Sequence, residues 1–176
     1  MKYSTIISIS AALLSVVSTT TAMAASKDAT WIKSAISANM LEIKAGSLAA
    51  HRSTEKALQK FGTQMVQDHT TALAGLKALA KDKGMTVPSS LAPQDQAMYS
   101  SLSRKHGKKF DAAYTTFAVN SHVAANALYS KEIASGRDSD ARAVAAKQLP
   151  TVQNHLTMAD KMTGMSMKNL SKGTGK

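Results

Sequence analysis

The sequence predicts an all-α chain of four long helices and one short one. Three observations carry that prediction. Apolar residues recur at spacings of three and four over long stretches, which is the period of an amphipathic helix. The 176 residues are Ala-rich, only 5% aromatic and include 3 Pro, a composition that favours helix over strand. No stretch of useful length alternates apolar and polar residues as a half-buried strand does.

The start of the chain reads as an address rather than as fold. Lys2 precedes an apolar run from Ile6 to Val17, and Ala22-Met23-Ala24 follows. This is the layout of a secretory signal peptide, with cleavage expected after Ala24. The run is shorter than the ~20 apolar residues that span a bilayer, and no later stretch is a transmembrane candidate. The expected plan is a signal peptide over 1–24, a helical domain over 25–164 and a disordered basic tail over 165–176. The expected location is the periplasm. The chain has no Cys, which excludes disulfides, thiolate zinc sites, iron–sulfur clusters and cysteine nucleophiles.

The first helix is expected from Asp28 to Ala50 on the stripe Ile32, Ile36, Met40, Ile43 and Leu48, with Asp28 or Thr30 as its cap. Ser53-Thr54 breaks the pattern and offers a new N-cap. The second stripe is Leu58, Phe61, Met65, His69, Ala72, Leu76 and Leu79, ending at Gly84 as a C′ residue. Met85–Gly107 holds Pro88 and Pro93 and a short helix over about 93–105. The third long helix carries Phe110, Tyr114, Phe117 or Ala118, Ser121 or His122, Ala125, Tyr129 and Glu132, and closes at Gly136. Asp138 caps the last, whose stripe is Ala141, Ala145, Gln148, Val152, His155, Ala159 and Met162. Pro150 falls inside it and is expected to kink the helix or open a turn.

Connection lengths set the topology. The first and last pairs of long helices are joined by a few residues, so each pair is an antiparallel hairpin. The middle link of about 24 residues covers roughly 55 Å, more than the ~45 Å length of a thirty-residue helix. Two hairpins joined by a crossover of that reach is the ferritin-like four-helix-bundle connectivity.

Three of the 5 His fall on separate apolar stripes: His69, His122 and His155. Met65, His69 and Leu73 are spaced four apart, and Val152, His155 and Ala159 three and four apart, which places both rings on core faces. Glu42 is the carboxylate on the middle turns of the first helix. Inward imidazoles and one carboxylate from four helices suit a divalent transition metal, with zinc, copper, iron and manganese all open. Asp68 lies ~100° around the helix from His69, so its role at such a site is to hold a His of another helix. The other reading makes each His a hydrogen-bonded core residue. No Glu-x-x-His occurs, and beyond residue 24 the only Glu are Glu42, Glu55 and Glu132, so the carboxylate-bridged di-iron set is missing. Gly-rich phosphate loops, nucleophile elbows and His-Glu-x-x-His are also absent.

These residues resemble a known family. The stretch NMLEIKAGSLAAHRSTEKALQKFGTQMVQDHTTALAGLKALAKDKG, with FDAAYTTFAVNSH and LPTVQNHLTMA, is similar to bacterial exported proteins catalogued as domain of unknown function four-one-four-two. The resemblance covers about Trp31–Met162. Its markers are Glu42, Asp68-His69, His122, and Leu149-Pro150 followed by His155. It implies a ferritin-like bundle in the periplasm and supplies no reaction. The family often has acidic residues where this chain has Ser121 and Asn154, which removes a carboxylate partner for His122 and His155.

Two further features point to partners. Met158, Met162, Met165 and Met167 cluster near the end, and thioethers suit Cu(I), although Met is also common core filler. The formal net charge is +11. No nucleic-acid recognition motif or aromatic stacking run accompanies it, so the partner it suits is an anionic envelope surface. The sequence thus leads to a non-enzymatic, metal-binding or stress-associated envelope protein. The alternative is a module that binds anionic surfaces through its basic face, with purely structural histidines.

Overall fold

A computed structural model describes the backbone of residues 15–173 and the side chains of residues 27–164. The described residues form five helices and no strand: α1 (Ser15–Arg52), α2 (Lys56–Asp82), α3 (Pro93–Ser103), α4 (Gly107–Ser135) and α5 (Ser139–Gly173). None of these helices is long and apolar enough to cross a membrane. The expected signal peptide lies partly outside the described residues, and its cleavage point falls within α1.

The four long helices make a helical bundle. α1 packs along α2 and α4 along α5, and the two hairpins meet through α1 against α4 and α2 against α5. The connection between them carries α3, which rests mainly on α1. Each hairpin turn is tied down by an Asp of the other hairpin. Asp28 of α1 is buried and accepts the backbone N–H groups of Arg137 and Asp138, at 3.2 and 2.9 Å. Asp111 of α4 is buried and accepts the Thr54 N–H at 3.2 Å and its hydroxyl. These carboxylates satisfy turn donors that burial would otherwise leave unpaired.

The core divides into two apolar clusters. One, around Phe61, Met65, Phe110 and Tyr114, lies toward the α1–α2 turn. The other, around Trp31, Ile32, Ile36, Leu76 and Tyr129, lies toward the α4–α5 turn. On α2 the buried His69 falls between Met65 and Leu76, and on α4 the buried His122 falls between Ala118 and Tyr129. A polar layer therefore separates the two clusters.

Several boundaries depart from the sequence expectation. Asp28 does not cap α1, because the helix continues upstream through Ala- and Thr-rich sequence to Ser15. The expected stripe of α1 holds at Ile32, Ile36 and Leu48, which are buried, and departs from expectation on the middle turns. Ala35, Asn39, Glu42, Ala45 and Ala49 are buried, whereas Met40 and Ile43 are only half-buried. Pro150 lies inside α5 without interrupting it. Pro150 and Ala146, whose carbonyl loses its N–H partner, are both exposed, so water can serve that oxygen. Residues 165–173, expected to be disordered, continue α5. Met, Lys and Leu are good helix formers and outweigh the Gly at 164. The N-cap of α2 is Glu55, with no side-chain cap bond, and not Ser53 or Thr54, whereas the caps at Asp138 and Gly84 follow expectation. Asp138 accepts the N–H groups of Asp140 and Ala141, each at 3.0 Å, and Gly84 adopts φ 64° in the left-handed turn that ends α2.

The end of α4 carries a titration signature. Glu132 is buried beside Asp28, and its carboxyl is pushed up from 4.5 to about 7, chiefly by burial and then by Asp28 and Asp138. The folded state holds this proton up to about pH 7 and the unfolded chain releases it near 4.5, so stability falls as pH rises through that window. Glu132→Gln should leave stability near pH 4 unchanged and raise it at pH 8 by about 1–2 kcal/mol, allowing for screening. Urea melts at both pH values check this, and an equal effect at each would refute it.

Candidate metal centre

The site is built from one turn of each of three helices, with α1 supplying its support. His69, His122 and His155 are 7%, 1% and 0% exposed. Their ring centroids are 5.3–5.6 Å apart. One nitrogen from each ring lies within 4.8 Å of the other two.

The outer nitrogen of each ring is committed. His122 Nδ1 lies 2.8 Å from the Ala118 carbonyl oxygen. A carbonyl only accepts, so Nδ1 carries the hydrogen. His155 Nε2 donates to the Asp68 carboxylate at 2.9 Å. Asn39 Nδ2 donates to the Ala35 carbonyl at 2.8 Å and to the Tyr129 hydroxyl at 3.1 Å. That turns Asn39 Oδ1 toward His69, whose Nδ1 donates to it at 2.8 Å. Tyr129 in turn donates to Gln148 Oε1 at 2.8 Å, and Gln148 Nε2 donates to the Ala72 carbonyl at 3.1 Å. This network ties α1, α2, α4 and α5 together at the level of His69.

The inner nitrogens are His69 Nε2, His122 Nε2 and His155 Nδ1. All three are buried without a hydrogen-bond partner. With the hydrogen fixed on the outer nitrogen, each inner one presents a lone pair. Burial holds His69 well below the usual imidazole range, and the two neighbouring rings lower it further. Burial also lowers His155, against the opposing pull of Asp68. Neutral imidazoles are the ligating form. A triangle with 4.8 Å edges has its centre about 2.8 Å from each corner, and a zinc–imidazole bond is ~2.0–2.1 Å. Closure by at most about 0.7 Å per ring would satisfy an ion.

Glu42 does not join this group. Its Oε1 stands 3.9 Å from His122 Nδ1, the outer nitrogen. Its Oε2 is buried without a hydrogen-bond partner. Burial raises its carboxyl above the usual range, with Asp95 adding to the shift and His122 and Ser121 opposing it. Of the expected set of Glu42 and three His, the three rings converge within 4.8 Å, and the α1 side chain that bonds one of them is Asn39. Asp68 stands where second-tier support is needed, on His155.

The sequence profile of the family described as Domain of unknown function (DUF4142) matches residues 15–162. The chain belongs to that family. No curated protein and no solved structure matches it.

Within this DUF4142 chain, sequence reasoning missed Asn39 and did not assign Tyr129 and Gln148 to the site. Tyr129 and Gln148 were legible as polar members of buried stripes. Asn39 was hidden by the mis-phased middle turns of α1, although Ala35, Asn39 and Glu42 share the spacing of a helix face. Tyr114 was read as core, and it is, with a buried hydroxyl that lacks a partner. Burial and nearby Glu42 push that hydroxyl well above the usual phenol range.

Asp68 is half-exposed, with 36% of its side chain accessible, so its removal disturbs little packing. Asp68→Ala is expected to weaken metal affinity by about 10–100-fold while leaving the helical signal intact. Competition against a chromophoric chelator measures this. Wild-type affinity in the variant would remove Asp68 from the site.

Proposed function

We propose that this chain is an exported, ferritin-like four-helix-bundle protein that binds one transition-metal ion in its core through His69, His122 and His155. The observation that carries the reading is the set of three inward lone pairs without partners, each on a ring whose other nitrogen is held by Ala118, Asp68 or Asn39. Metal-ligating histidines characteristically have their far N–H bonded in this way. The competing reading, a surface-binding module with structural histidines, leaves three buried acceptors unpaired at about 1–3 kcal/mol each.

All three convergent donors are nitrogen. Imidazole suits zinc and copper, whereas manganese prefers carboxylate and water. The inner nitrogens are out of solvent contact, which favours an ion that is held over one that turns over substrate. The signal-peptide pattern before Ala24 supports the periplasm, and two hairpins with a long link support the ferritin-like comparison.

Protein purified without an affinity tag should carry or take up one equivalent of zinc or copper by elemental analysis. The His69→Ala/His155→Ala variant should take up none. Equal loading of the two would end the proposal.

A further inference from the structure

Two cavities approach the histidine layer through opposite seams of the bundle. One of about 320 Å³ opens between α2 and α5 and is lined by Asp68, His69, His155 and Lys147. The other, of about 270 Å³, lies between α1 and α4 beside α3 and is lined by Met98, Asp95, Ser121, Glu42, His69 and His122. Burial deepens along the second. Met98 is 38% exposed, Glu42 5% and His122 1%, with Asp95 and Ser121 half-buried between them. No Lys or Arg lines it.

Resting on the metal reading above, we infer that the cavity beside α3 is the ion's way in, and that Glu42 and Asp95 hold the cation in transit without being resident ligands. Glu42 sits 3.9 Å from the outer nitrogen of His122 and is not part of the group of side chains that converge within 4.8 Å. Its Oε2 is buried without a hydrogen-bond partner, and Glu42 lines this cavity. Asp95 is held at the mouth by the Ser37 hydroxyl, which also accepts the Ala92 N–H at 2.8 Å and so anchors the start of α3. A hydrated cation would meet carboxylate and hydroxyl oxygens as it sheds water, and then nitrogen. A cleft of one charge sign focuses ions and speeds their capture about 10–10³-fold. The opposite seam carries Lys147, which repels a cation.

Stopped-flow uptake of zinc ion, paired with equilibrium affinity, tests this. Glu42→Gln/Asp95→Asn should slow uptake by about tenfold or more, with release slowed in step and the dissociation constant within about threefold of wild type. Lys147→Ala should leave both unchanged. Unaltered uptake in the double variant overturns the inference. Lost affinity with uptake intact also overturns it and makes Glu42 a resident ligand. Gly75→Trp, which crowds the opposite seam, would overturn it by slowing uptake. Wild type that takes up neither zinc nor copper would overturn this inference and the metal reading together. Glu42→Gln alone, which keeps the shape, carries the test should the double variant not fold.

Discussion

Zinc at about one hundred times its dissociation constant is expected to raise the unfolding free energy of the wild-type protein by about 2.7 kcal/mol. For a domain of this size that is a rise in Tm of about 5–11 °C. The effect follows from a site that exists only when folded. His69, His122 and His155 come from three helices, and one nitrogen of each ring lies within 4.8 Å of the other two only when those helices pack. In the unfolded chain the rings are dozens of residues apart, so an ion held by all three would bind the native state selectively. The site also asks little reorganisation, because Asn39, Ala118 and Asp68 already fix the three rings. In His69→Ala/His155→Ala the zinc-dependent rise should vanish. The apo variant will start lower, since removing two buried rings opens space, and the increment on adding zinc is the quantity to compare. A full increment in that variant would place the ion elsewhere.

Gly62→Ala should destabilise the protein by about 2 kcal/mol or more, despite the ~1 kcal/mol that Ala gains over Gly in a helix. A Cβ at Gly62 would meet the Gly46 carbonyl oxygen at 2.5 Å, the Ala50 nitrogen at 2.7 Å and the Ala49 Cβ at 2.9 Å. Two of these are backbone atoms and cannot rotate away, so α1 and α2 must separate. Gly75→Ala in the same helix supplies the contrast. Its nearest neighbour is a Gln148 side-chain nitrogen at 4.0 Å, and the same substitution there should stabilise by up to about 1 kcal/mol. Urea denaturation of both variants checks the pair. Equal shifts of one sign would show that helix propensity, not helix contact, governs position 62.

Period and punctuation carried the fold. The short helix was expected over 93–105 and spans Pro93–Ser103, because Pro93 suits a first turn. The three site histidines were legible because each sat on its stripe. What escaped has a common cause. α1 and α2 approach through Gly46 and Gly62, so on the middle turns of α1 small or polar Asn39, Glu42 and Ala45 are buried while the bulkier Met40 and Ile43 are only half-buried. A reading that follows large apolar residues is then rotated there by a residue, which lost Asn39. Asp28 escaped for a different reason. Its partners are more than one hundred positions away, and no local pattern records so distant a bond.

The reciprocal ties at the two turns have a consequence for how the chain holds together. Asp111 completes the turn of the first hairpin and Asp28 that of the second, so each half finishes the other. In the language of assembly, the molecule is a heterodimer of two helical hairpins on one polypeptide. The segment that carries α3 is the tether that keeps the halves at millimolar effective concentration. A chain nicked before α3 is therefore a two-piece complex, and its stability should depend on concentration where that of the intact chain does not.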